Sequence, residues 1–228
     1  QRPRALYFSD DVYVGSVNRG EVLEISAADP QLGAVFYTLS QQQAEKPAIV
    51  RQLDSCTQCH ASSMTDGVPG HLVRSVYPDS RGQPILSAGS FRTTYQSPLR
   101  ERWGGWYVTG THGLQRHLGN ALFREPIDLD KIDYEAGANV TDLRGRVDLA
   151  AYRTPHSDIV ALMVLEHQTP LHNQFTVANY RGRLALREQE VLNKMLNSTS
   201  AELSPGIQRR LERAGDDVLR MMLFAGEA

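Results

Sequence analysis

The sequence predicts an α+β protein, with its strands first and its helices last. Three observations carry that prediction. Five short segments before residue 54 are rich in β-branched and aromatic residues and are separated by turn signals. Apolar residues recur at helical spacing only beyond residue 154. Between residues 120 and 150 periodicity is weak and acids are frequent. The expected organisation is a β-rich region 1–120, a connecting segment 121–153 and a helical region 154–228 packing on it. With 228 residues the three are long enough together to bury a core as one domain.

The strands are expected at 5–8, 12–17, 21–27, 34–39 and 49–53, with Asn18-Arg19-Gly20 and Asp29-Pro30 followed by Gly33 as turns. Residues 71–77 alternate apolar and polar side chains, and 85–91 is expected to return antiparallel to them after Pro78-Asp79-Ser80-Arg81-Gly82. Trp103 to Gly110 reads as an aromatic strand punctuated by glycine. Thr154 is the expected N-cap of the first long helix, with Pro155 at its first position and Pro170 expected to end or kink it. Residues 171–197 and 205–224 are expected to form further helices.

Bulk properties narrow the function. Apolar residues at 41% and charged residues at 22% are ordinary for a soluble globular protein. The net charge of −2 points to neither nucleic acid nor an anionic membrane surface. No apolar run approaches the ~18 residues of a membrane span. The two cysteines are too few for a disulfide scaffold.

Those cysteines belong to Cys56-Thr57-Gln58-Cys59-His60, a C-x-x-C-H motif. The spacing lets two thiols form thioethers with the two vinyl groups of one porphyrin and holds the next imidazole beneath the iron. A dithiol redox pair needs only C-x-x-C, so His60 is the discriminating residue. A structural zinc site wants about four ligands, and there is no second cysteine pair. The motif resembles that of the monohaem c-type cytochromes. The stretch from Cys56 through Gly-Val-Pro-Gly-His71 to Gly-Gly-Trp-Tyr-Val-Thr-Gly-Thr-His112-Gly resembles a set of uncharacterised, exported bacterial haem-c proteins. The resemblance implies one covalently attached haem c, with its iron ligated by His60, and export to the periplasm. It implies no particular reaction. The β-rich N-terminal half does not resemble the small all-helical cytochromes. In element order alone, a small sheet with haem against it resembles the PAS-like haem-c sensor domains. The chain opens at Gln1 without a methionine, as a removed signal peptide would leave it and as trimming would too.

The sixth iron position decides the function. His112, flanked by Gly110 and Gly113 and following the aromatic segment, is the preferred distal ligand. It is preferred over His71, His117, His167 and Met163. Arg116 and His117 are candidates to meet a haem propionate. His156, Val160, Met163 and His167 are spaced to share one helix face that would cover a haem. The leading expectation is periplasmic electron transfer with a redox partner protein. The alternatives are a haem-based redox or gas sensor that binds a small ligand, and a peroxidase-like enzyme using His71, His117 or Arg116.

Overall fold

Turn chemistry and strand alternation fold the first quarter of the chain into an antiparallel meander. A computed structural model describes residues 3–227. Its five-stranded sheet follows chain order: β1 (Arg4–Phe8), β2 (Val12–Val17), β3 (Val22–Asp29), β4 (Gly33–Ser40) and β5 (Ile49–Gln52). The β2–β3 turn uses Arg19 in the left-handed region, and the β3–β4 turn uses Gly33 at φ 81°. In that second turn the Asp29 carboxylate accepts the N–H groups of Gln31 and Leu32, both at 2.8 Å.

The register places one row of side chains straight across the sheet: Phe8, Tyr13, Ser26, Phe36 and Gln52, each opposite the next. Directly opposed residues share a face, so this row projects to one side. That side is covered by the long helix described below.

After β5 come a single helical turn, α1 (Thr57–His60), and a tight loop leading to a two-stranded sheet of β6 (Val73–Val76) and β7 (Ser90–Thr93). Residues 94–158 are mostly irregular, with short 3-10 turns at Leu99–Glu101, Leu129–Lys131 and Leu149–Ala151. Helix α2 (Ile159–Met195) has 37 residues, and α3 (Pro205–Met222) folds back against it. At 1.5 Å per residue α2 is about 55 Å long. Its first half buries Leu162, Leu165, Glu166, Thr169, Asn173, Thr176 and Val177. A core of Tyr13, Val73, Trp103, Val108, Leu162 and Leu165 joins sheet, loops and helix.

The α+β arrangement is thus the one expected. Several local expectations are corrected. Trp103 to Gly110 is a turn and not a strand: Trp103 and Gly105 both adopt positive φ. A Cβ on Gly104 would lie 2.3 Å from the Val76 carbonyl oxygen, so the chain folds tightly against β6 there. Helix α2 begins at Ile159 and not after Thr154. Asp158 caps it, its carboxylate accepting the N–H groups of Val160 and Ala161. Pro170 lies buried within α2 and does not end it. His156 precedes the helix and so does not share a helix face with Val160, Met163 and His167; Val160 and Met163 are 61% and 43% exposed. No helix among the described residues is long and apolar enough to cross a membrane.

A second buried cluster braces the fold. Glu166 on α2 accepts from the Arg102 guanidinium and from Trp103 Nε1 at 2.8 Å. The other Arg102 donors satisfy the carbonyls of Ser97 and Tyr95. Burial pushes the Glu166 carboxyl up to about 7, against the pull of Arg102 and Trp103.

Candidate functional site

Helix α1 is one turn, and it brings the motif together. Cys56 precedes it in helical backbone geometry, and its carbonyl accepts His60 N–H at 3.0 Å. Positions three apart on a helical turn share a face, so the thiols of Cys56 and Cys59 lie on one side. Both are free thiols, Cys59 exposed and Cys56 half-buried. Thr57 secures the entry to the turn by donating to the Leu53 and Asp54 carbonyls at 2.8 and 3.1 Å.

The chain then turns back on itself. Ser62 and Thr65 form a reciprocal capping box, and Asp66 and Gly67 take positive φ. Thr65, fully buried, donates to the Val68 carbonyl at 2.8 Å. This delivers Pro69-Gly70-His71 to His60. Gly70 N–H donates to the His60 carbonyl at 2.7 Å, and His60 Nδ1 lies 3.0 Å from the Gly70 carbonyl oxygen. A carbonyl only accepts, so Nδ1 carries the proton and Nε2 keeps its lone pair. This is the arrangement a metal-ligating histidine needs: one nitrogen held by the protein, the other free to bind.

The segment 69–71 is itself held from two sides. The Pro69 carbonyl accepts Ala34 N–H of β4 at 2.8 Å. Asn173 of α2, fully buried, accepts His71 N–H at 2.8 Å and donates to the His71 carbonyl at 2.7 Å. The approach is so close that a Cβ on Gly70 would lie 2.3 Å from Asn173 Oδ1. Gly33 is equally tight, since a Cβ there would meet the Pro69 carbonyl oxygen at 2.5 Å.

Around this segment the cross-strand row supplies aromatic and hydroxyl contacts. Phe36 packs on His60 with ring centroids 4.9 Å apart, and on His71 at 6.1 Å. Ser26 Oγ is 2.6 Å from His71 Nε2, and Tyr13 stacks on the same imidazole at 4.4 Å. Gln168 donates to the Tyr13 oxygen, leaving the Tyr13 hydroxyl to donate to His172 Nδ1 at 3.1 Å. Burial, with His172 and His60 nearby, pushes the His71 imidazole down to about 3, so it is neutral at physiological pH.

The residues present fit a haem c on chemical grounds. Two unpaired thiols share one helical turn with an imidazole whose Nε2 is free. The segment leading to them exposes Val50, on the sheet face of Gln52 and Phe36, and Leu53 just beyond the strand, apolar side chains of the kind a porphyrin packs against. Among the described residues no group of three or more His, Cys, Asp and Glu is assembled to hold a metal ion.

The other expected site residues lie elsewhere. His112 uses both ring nitrogens: Nδ1 donates to the Gln115 carbonyl at 2.7 Å and Nε2 accepts Asn139 N–H at 3.0 Å. In this arrangement both ring nitrogens are engaged by backbone groups, so His112 would have to give up the Asn139 N–H to ligate iron. Its flanking glycines serve packing and turning: a Cβ on Gly110 would lie 2.6 Å from Ile159 Cγ2, and Gly113 takes φ 63°. Arg116 makes a two-pronged ion pair with Glu135 at 2.6 and 2.7 Å. His117 is buried against Trp103 and accepts Gly119 N–H at 3.0 Å. Both side chains are thus engaged by protein groups. His167 stacks on Phe224 at 3.9 Å, and His156 Nδ1 donates to the Thr141 carbonyl. His71 follows directly on Gly70, whose carbonyl holds His60 Nδ1.

The Pro69-Gly70 turn returns the Gly70 carbonyl to His60. Asn173, Ser26 and Phe36 do not stand out as site residues in the sequence. An asparagine in the middle of a helix was the one usable signal, because its side chain competes with the backbone and persists there when it has a specific partner. No protein-family model, curated protein or solved structure matches this chain.

Proposed function

We propose that this chain is a monohaem c-type cytochrome that carries electrons for a redox partner protein in the bacterial periplasm. The observation that carries the reading is the pairing of His60 Nδ1 with the Gly70 carbonyl beside two free thiols on the same helical turn. Cys56 and Cys59 would tether the cofactor and His60 Nε2 would ligate it, while Gly70 keeps the proton on Nδ1 and so raises the basicity of Nε2. Haem c supplies one-electron chemistry at its iron. Periplasmic residence follows from the reading, because haem is attached outside the cytoplasm.

The test is expression together with a haem-attachment pathway, followed by intact mass and the optical spectrum of the denatured, pyridine-treated product. The expected result is one covalent haem, lost when Cys56 and Cys59 are both changed to serine. A chain whose mass is unchanged would overturn the proposal.

A second reading, a ligand-binding haem of the sensor kind, is favoured by one observation. His112, His117, His156 and His167 are each engaged by groups away from the Cys56–His60 motif, which favours an open position opposite His60. Carbon monoxide separates the two: a spectrum unchanged by it supports the carrier, and a shifted ferrous Soret band supports the ligand binder.

A further inference from the structure

Behind His60 the sheet and α2 do not close completely. A cleft of about 490 Å³ opens between the β3–β4 turn and α2, lined among others by Asp11, Asp29, His71, His172, Phe175 and Thr176. It also borders Pro69 and Gly70, the segment that holds His60. Asp11 and Asp29 are the charged side chains of its lining, and among the described residues no lysine or arginine lines it. Its two imidazoles are held neutral by burial. The Asp29 carboxylate is partly spent on its own turn, which leaves Asp11 as the open acid. The ring of Phe175 is 44% exposed at the rim. His71, 7% exposed, has Nδ1 buried without a hydrogen-bond partner. Buried polar atoms rarely stay unpaired, and such an atom beside a cleft is what a bound molecule would satisfy.

We propose that this cleft binds a small organic cation, an amine with an apolar or aromatic body, and that its occupancy is felt at His60 through the Pro69–His71 segment. Asp11 pairs with the ammonium group. Phe175 covers the body and adds attraction between cation and ring. The cleft has no basic group with which to neutralise a carboxylate or phosphate, so anions are rejected. An occupant pressing on Gly70 and His71 moves the carbonyl that holds His60 Nδ1, and therefore changes the donor strength of Nε2. Only this coupling rests on the haem reading. Binding itself does not.

Calorimetric titration with tyramine, putrescine and, as the mismatch, benzoate tests the site, on both the haem-loaded and the haem-free chain. Tyramine is expected to bind in both forms, more tightly than putrescine, and benzoate not at all. Asp11→Asn is expected to weaken tyramine about tenfold, the scale of one charge-assisted hydrogen bond. Phe175→Ala is expected to remove the preference for tyramine over putrescine. Both side chains are exposed, so both variants are expected to fold. In the haem-loaded protein, saturating tyramine is expected to shift the reduction potential, and Asp11→Asn to move the midpoint of that shift to about tenfold higher tyramine. Absence of amine binding to the intact chain, or equal binding of benzoate, would overturn the site. Binding without a change in potential would overturn the coupling. Failure to attach haem bears on the cytochrome reading alone, because the amine titration of the haem-free chain stands by itself.

Discussion

His60 and His112 are both fastened by turns, and both are expected to face one iron. They end differently. At His60 a carbonyl from ten residues away takes one nitrogen and nothing among the described residues takes the other. At His112 two backbone groups take both. The first ring is oriented and still reactive, while the second is a strut between residues 115 and 139. A histidine is a ligand by what it has left over, and residue type with flanking glycines does not report that remainder.

The largest effect that would sharpen the contrast is expected from Asn173→Ala. It strips the buried His71 N–H and carbonyl of their partners and costs about 2–4 kcal/mol in urea denaturation. It should also shift the potential of the haem-loaded protein, because the carbonyl behind His60 loosens. An unchanged potential at reduced stability would show that α2 braces the fold without governing the ligand. Gly70→Ala drives a methyl group into Asn173 and is expected to cost about 1–3 kcal/mol, again with a spectral change. His112→Ala should lower stability by about 1–2 kcal/mol and leave the haem spectrum untouched. Loss of a low-spin spectrum in that variant would restore His112 as the distal ligand and break the comparison.

The most gradual effect is in acid. His71 in one region and His117 in the other are buried neutral, pushed from 6.5 down to about 3 and about 4 respectively. A depressed imidazole means that the unfolded chain binds protons first as pH falls below 6.5. Stability is therefore full above that value and declines toward pH 4, by at most about 1.4 kcal/mol per pH unit for each group. Replacing His117 with phenylalanine should make the pH dependence of the denaturation midpoint shallower over that window, with the share due to His71 remaining. An equal slope in the variant would show that His117 is not held neutral.

What was legible in the sequence was local. The five strands were readable to within a residue or two, because alternation and Gly or Asp-Pro turns mark their ends. Ser204-Pro205 marked the start of α3. The motif at Cys56–His60 was readable because five consecutive residues carry it. The start of α2 was missed because Thr154 and Asp158 are both competent caps, and the chain uses the later one. The aromatic turn after Arg102 was missed because Trp103 adopts a left-handed backbone that its residue type seldom takes. The support for His60 was out of reach for another reason. Asn173 meets His71 across 102 residues, and no periodicity encodes such a pair.

The row Phe8–Tyr13–Ser26–Phe36–Gln52 has a consequence for which changes the chain can accept. Side chains in a strand alternate faces at every step, so one residue inserted within β3 would turn Ser26 away from His71, and one within β4 would turn Phe36 away from His60. The same insertion in the exposed stretch 41–46, before β5, leaves the row intact. Length is therefore negotiable between the strands and not inside them, and a library of single-residue insertions would trace the outline of the support around His60 as a set of forbidden positions.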